Sequence, residues 1–455
     1  MKKWLCLLLI FSMIFTAYIG CGQEGADEPV DGNEDVVVDI DFNGQHFYFS
    51  PYLVELYFPL DGDTSWGDKM LARYKQLEED YNCVLECVDM DSDRDTATSL
   101  ISRFASGIDL PDIIDRETRV SYPLYKSGDV LVPIDEITTL DITDEKWGPE
   151  YLLQNSKFEG RFYGLFPYAW ESTPEFHGII LVNNLLINQF GLTNPYELQE
   201  QKNWTWDSFR QELVSATRTE GENSYVGMML WEAGSIPEDL LITAAFSNGA
   251  KMIEEIDGAM KFGLTNPQAL AGFEYVAGLY ADKVLIKAGN YDGFKNNEAV
   301  YLFGLSHMGT GSGKDLIPNV MEDYGMLPFP SGPAAPEGNC SAFISYERRL
   351  YVLRSGQNEP DDVGTVMNYL FSPLDDKGGW KNTLEDQIVH HPEDFKNFIY
   401  MVENCQFNYM SQLDTAYNKI ADNLKKVLTG GMTAAQSMES IEEAVNSQIS
   451  SITFE

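Results

Sequence analysis

One passage restricts the fold of this chain more than any other. From Lys157 to Phe209 it reads KFEGRFYGLFPYAWESTPEFHGIILVNNLLINQFGLTNPYELQEQKNWTWDSF. Residues 161–166 have the character of a strand that stops at Pro167. A polar and aromatic passage, 168–171, follows. Residues 178–183 are then nearly unbroken in apolar character, the pattern of a strand buried on both faces. Residues 185–190 read as a short helix, stopped by Gly191 and Pro195. Thr205 or Asp207 can cap the next helix, because a side-chain oxygen there accepts from an otherwise unpaired backbone N–H. The chain thus finishes one sheet, crosses at 168–171 and starts another. Such a crossing is a natural place for a hinge and a cleft.

The flanks alternate between strand and helix. Residues 47–58 read as a first strand, 61–66 as a loop and 68–81 as an amphipathic helix; 84–90 is a second strand. Residues 96–105 are helical, 112–114 a third strand and 115–118 the loop after it. Beyond the crossing, strands are expected at 225–231, 299–303, 326–329 and 350–353, and helices at 238–246 and 266–281. Most of 407–455 reads as helix. Beta–alpha–beta alternation implies parallel pairing with right-handed crossovers, and such sheets bind ligands outside the carboxyl ends of their strands.

With 455 residues the chain is long enough for two or three domains. Its 71 acidic against 31 basic residues give a net charge of −40, which excludes nucleic acid and anionic lipid headgroups as partners. Lys2 and Lys3 precede an apolar run, 4–19, that is too short and wrongly flanked for a membrane span. It ends in Gly20-Cys21 and resembles a bacterial lipoprotein signal: residues 1–20 would be removed and Cys21 lipidated, although Tyr18 stands where leucine is usual. Residues 21–43 open in an acidic, glycine-rich segment with too little apolar surface to fold, and read as a flexible tether. Cys83 and Cys87 lie in one expected strand, roughly 13 Å apart and too far for a disulfide. A long-range pair such as Cys340 with Cys405 stays open.

Several chemistries fail on spacing. The run Asp89-x-Asp91-x-Asp93-x-Asp95 suggests a calcium loop, but Arg94 and Leu100 stand where glycine and glutamate are required, so no metal is expected. Gly309-x-Gly311-x-Gly313-Lys314 lacks the phosphate-loop spacing, with Asp315 in the hydroxyl position, and reads as a flexible loop at a cleft rim. There is no G-x-S-x-G and no H-E-x-x-H, and no cofactor is implied. Aromatic residues beside polar ones at strand ends carry the better signal. Sugars offer flat C–H faces that rings cover and hydroxyls that polar groups must satisfy. By this criterion the candidate ligand-binding residues are Trp66, Asp115, Glu117, Trp170, Glu171, Trp231, Glu232, His307, Phe407 and Tyr409. Trp204 and Trp206 are assigned to packing and capping.

The segments GRFYGLFP, ILVNNLLINQFGLTNP and WTWDSF together resemble the family 1 extracellular solute-binding proteins of ABC importers. Arg161 and Val182 replace a usual lysine and tyrosine and leave the glycines, prolines and tryptophans of the turns in place. The resemblance implies an α/β, two-lobed fold, each lobe a mostly parallel sheet flanked by helices, with a ligand cleft at the hinge. Lobe 1 would comprise 44–168 with 343–403, and lobe 2 would comprise 172–340 with 406–455. Crossings would fall near 168–171, 341–345 and Cys405. The implied protein is not an enzyme. It is a monomer, lipid-anchored at Cys21 on the outer face of a bacterial cell membrane, that passes a carbohydrate, an oligosaccharide above all, to ABC permease subunits. An extracellular carbohydrate-active enzyme and a non-transporting ligand sensor are the alternatives.

Overall fold

A computed structural model describes residues 40–452 except 63–64, 91–95, 155, 171–173, 233–235, 312–315, 345–347, 355, 375–379, 386–390 and 414. The expected signal, most of the tether, Cys21, Glu171, most of the Asp89–Asp95 run and Gly313-Lys314 lie outside the described residues. The tether was expected to reach residue 43, yet Phe42 is already buried against Phe47 and Tyr81.

The first sheet opens with β1 (Gln45–Ser50), β2 (Cys83–Cys87) and β3 (Ile113–Glu117), which pair in parallel around β1. Phe47 and Phe49 alternate inward on β1 and are fully buried. The helix Ser65–Tyr81 joins β1 to β2, and Thr96–Ala105 precedes β3. A hairpin of β4 (Lys157–Phe158) and β5 (Arg161–Phe162) leads towards the crossing.

The second sheet starts with β6 (His177–Asn183), whose seven residues are all buried, as their apolar run requires. There follow β7 (Arg218–Glu220), β8 (Asn223–Trp231), the separate hairpin β9 (Ile253–Ile256) and β10 (Ala259–Phe262), then β11 (Leu285–Ala288), β12 (Ala299–Leu305), β13 (Tyr324–Pro328) and β14 (Phe343–Ile344). β15 (Arg348–Val352) returns to the first sheet, giving the order β15-β3-β1-β2, and β16 (Gln406–Phe407) belongs to the second. The second sheet has the order β11-β8-β12-β6-β14-β16, with β13 also on β6 and β7 on β8.

This second sheet is mixed rather than mostly parallel. β8, β11 and β12 run together, but β6 is antiparallel to β12, β13 and β14. The reason is connectivity. β6 is entered directly from the first sheet, without a crossover helix to turn the chain round, so it runs away from the junction.

Leu165 exchanges backbone bonds with Leu350 of the first sheet at 2.9 and 2.8 Å, and twelve residues later the chain is in β6. β14 and β15 are separated by 345–347 alone. His177, Phe343 and Gln406 stand in register on neighbouring strands, so the three passages lie side by side. The helix Pro392–Asn404, grouped with the first lobe on sequence, packs on β13 of the second sheet. There Asp394 accepts the Met326 N–H at 2.7 Å and Asn397 donates to the Met326 carbonyl at 2.9 Å.

Other boundaries also moved. β1 stops at Ser50 and a short helix, Val54–Tyr57, follows. Residues 115–117 belong to β3, and a helix starts at Thr118. Of the expected flexible loop Gly309–Lys314, Gly309 and Thr310 instead close the helix Ser306–Thr310 that follows β12, with Gly309 seated on Leu181. Thr205 caps the helix Trp206–Ala216 by accepting from the Ser208 N–H. The Trp204 and Trp206 indoles are buried, donating to the Pro328 carbonyl and the Ser247 hydroxyl. Cys340 and Cys405 are buried thiols that form no disulfide with each other.

Candidate functional site

The two sheets meet where β3 ends at Glu117, β15 begins at Arg348, β6 begins at His177 and β12 ends at Leu305. The carboxyl ends of β3, β8 and β12 therefore face the junction, as the open-sheet rule for ligand sites requires.

From the first sheet, Arg348 places its Nη1 3.6 Å from the Asp115 carboxylate. Asp115 is fully buried and also accepts the Tyr52 N–H at 3.4 Å. Burial pushes its carboxyl up, while Arg348, the Tyr52 N–H and Arg116 act to hold it down. Arg116, itself buried, donates to the carbonyls of Ser50 and Asp115 and to the Ser50 hydroxyl, which ties the ends of β1 and β3 together.

From the second sheet, Ser306 clasps the segment that precedes β6. Its hydroxyl donates to the Pro174 carbonyl at 3.1 Å and accepts the Phe176 N–H at 3.0 Å, and its own N–H donates to the Phe176 carbonyl. Glu175 is thereby held beside His307, its Oε1 3.7 Å from Nδ1. The Glu175 side chain is 48% exposed. Burial works to raise its pKa; His307, His177 and Arg348 together outweigh it and hold the carboxyl below its ordinary range. Arg348 thus acts on Asp115 within its own sheet and on Glu175 across the junction. Behind them His177 and Asp239, both buried, pair at 2.7 Å, and the imidazole stacks on Phe343. Next to Asp239, Glu238 is pushed up to about 7 by burial, with Lys425 3.4 Å away.

The sequence candidates divide. Asp115 and His307 stand at this junction, and Glu117 faces Arg348 in register. Trp170 is a correction: it is 5% exposed, stacks on Tyr74, packs on Phe371 and donates its indole N–H to the Ser372 carbonyl at 2.9 Å. Its ring belongs to the first lobe's core, because the chain folds back after Pro167 instead of running straight across. Glu171 lies outside the described residues. Trp231 and Glu232 end β8 beside the edge strand β11. The indole N–H donates to the Gly289 carbonyl at 3.1 Å, and Glu232 pairs with Lys287 at 2.5 Å. Trp66 is half-buried in the first turn of its helix, with the Lys69 ammonium 6.0 Å from the ring. Phe407 is half-buried in β16. Tyr409 has φ of +52° and leads into the helix Met410–Leu413, which packs against Thr118–Lys126 of the first lobe.

Glu175, His177, Asp239 and Arg348 were missed. The available signal was charge flanking a buried run: Glu175 and His177 immediately precede the apolar stretch, and Arg348-Arg349 precede Leu350. Among the described residues no cluster of three or more His, Cys, Asp or Glu side chains is placed to hold a metal ion.

No family model and no curated protein matches the chain. Solved structures do. The GacH receptor of Streptomyces glaucescens, solved unliganded and with acarbose, aligns at TM-score 0.61 and 13% identity over 90% of this chain and 100% of its own. An ABC transporter solute-binding protein from Thermotoga lettingae, bound with α-D-tagatose, gives 0.59 and 16% over 90% and 100%. UgpB from Mycobacterium tuberculosis, in complex with glycerophosphocholine, gives 0.61 and 14% over 90% and 98%. At such identities the likeness is one of architecture, and the chain has the two-lobed α/β fold of the ABC-transporter solute-binding proteins.

Proposed function

We propose that this protein captures a carbohydrate, an oligosaccharide above all, between its two lobes and delivers it to the permease subunits of an ABC importer. In this reading it breaks no bond. It acts as a monomer held by a lipid on Cys21 at the outer face of a bacterial cell membrane. The observation that carries the carbohydrate assignment is the mixture of charge at the junction: Arg348, backed by the buried Asp115, is a donor, Glu175 an acceptor and His307 an imidazole 3.7 Å from it. A hydroxyl both donates and accepts, so a neutral polyol matches such a mixture. An ionic ligand would meet its own sign within it. Acarbose and tagatose in two structural neighbours agree with a sugar; glycerophosphocholine in a third shows that the fold also takes other polar solutes.

The experiment is a thermal-shift screen of the full chain against neutral mono- and oligosaccharides, with peptides, polyamines and glycerophosphocholine as rivals. A ligand at a hundred times its Kd adds about 2.7 kcal/mol of stability and a measurable rise in melting temperature. Arg348→Ala and Glu175→Ala are expected to abolish the rise. Silence across the sugars with a response to any rival would refute the carbohydrate reading, and turnover of a glycan would favour an enzyme.

A further inference from the structure

Far from the junction, at the other end of β15, the first lobe carries a recess of ≈ 390 Å³. Arg354 at its edge lies six residues beyond Arg348, roughly 20 Å along an extended chain. Tyr125 and Tyr163 form an aromatic wall with ring centroids 5.3 Å apart, and Tyr125 is backed by Phe158, stacked at 4.9 Å. Two cations and two anions complete the rim: Lys126, Arg354, Asp129 and Glu159. Arg354 Nε stands 2.8 Å from the Asp129 carboxylate, and the Tyr125 hydroxyl bonds Glu159.

Both acids are held in left-handed backbone. Asp129 has φ of +60° and follows Gly128 at +75°. Glu159 has φ of +48° and precedes Gly160 at +78°, in a tight hairpin turn where asparagine before glycine is the inexpensive choice. A glutamate there is strained, whereas aspartate enters this region at little cost, and both carboxylates border the one aromatic recess.

We infer that this recess is a second saccharide-binding site, independent of the junction. The rings offer a stacking face, and a rim balanced in sign suits a neutral, hydroxyl-bearing ligand within a chain of net charge −40. A quaternary ammonium, the other ligand that tyrosines and acids attract, fits less well. The Lys126 ammonium already lies 5.6 Å from the Tyr122 ring and 5.9 Å from the Tyr125 ring.

The test is saturation-transfer NMR on the full chain carrying Arg348→Ala and Glu175→Ala, with malto-, cello-, xylo- and manno-tetraose and with choline as probes. At least one tetrasaccharide still receives transfer, and adding Tyr163→Ala weakens it about tenfold. Glu159→Gly weakens it as well while the melting temperature holds or rises, because glycine relieves the strained turn. In the chain with an intact junction the same site appears as a second, weaker binding step that Glu159→Gly removes. The inference is overturned if no tetrasaccharide contacts the double variant, or if choline binds in its place. It also fails if Glu159→Gly lowers the melting temperature and leaves the affinity unchanged.

Discussion

Asp394 offers a prediction whose size follows from its surroundings. It lies in the first turn of the helix Pro392–Asn404 and is 1% exposed. One carboxylate oxygen, Oδ1, accepts both the Met326 N–H and the Tyr196 hydroxyl. Burial pushes the carboxyl up to about 6 from an ordinary 3.8, against the pull of those two donors. A folded pKa above the unfolded one means that folding favours the protonated acid. The associated stability is complete below pH 3.8 and is lost as pH rises through about 6. A shift of about two units at 1.36 kcal/mol each amounts to about 3 kcal/mol. Asp394→Asn keeps an oxygen for both donors and cannot ionise. The variant is therefore expected to match the parent within about 1 kcal/mol at pH 4 and to exceed it by about 2–3 kcal/mol at pH 8. Urea unfolding at intervals between these pH values measures the gap. Glu238, pushed up to about 7, gives parent and variant a shared slope of the same sign, so only their difference reports on Asp394. Parallel curves for the two proteins would refute the reasoning, since they would mean that the buried carboxylate costs nothing.

Two further outcomes separate packing from recognition. Trp170→Ala should destabilise the protein by about 3–5 kcal/mol and leave ligand affinity unchanged, because the ring fills core; a weakened Kd in calorimetry would return it to the cleft. Gly164 has φ of +85°, and a Cβ there would stand 2.4 Å from the buried Tyr351 ring. Gly164→Ala should therefore cost about 2–5 kcal/mol, from left-handed strain plus overpacking, as read from its urea midpoint.

Local pattern carried much of the fold. The apolar runs of β6, β8 and β12 were legible because burial on both faces leaves no polar position to interrupt them. The cap at Thr205 was legible because its chemistry is confined to a few residues. The helix Ser306–Thr310 was not, since five residues are too few to show a period. The site was harder still. Arg348 matters because β15 pairs with β3 so that residue 350 faces 115, a register that no local window contains. Trp170 misled for the same reason: an aromatic after a strand announces neither the face it takes nor the turn that folds it inward. Glu175 is set by Ser306, 131 positions away in the chain.

The three passages between the lobes run alongside one another at His177, Phe343 and Gln406. Separate cords would allow one half to tilt, slide or spin against the other. Laths joined along their edges flex about a single line.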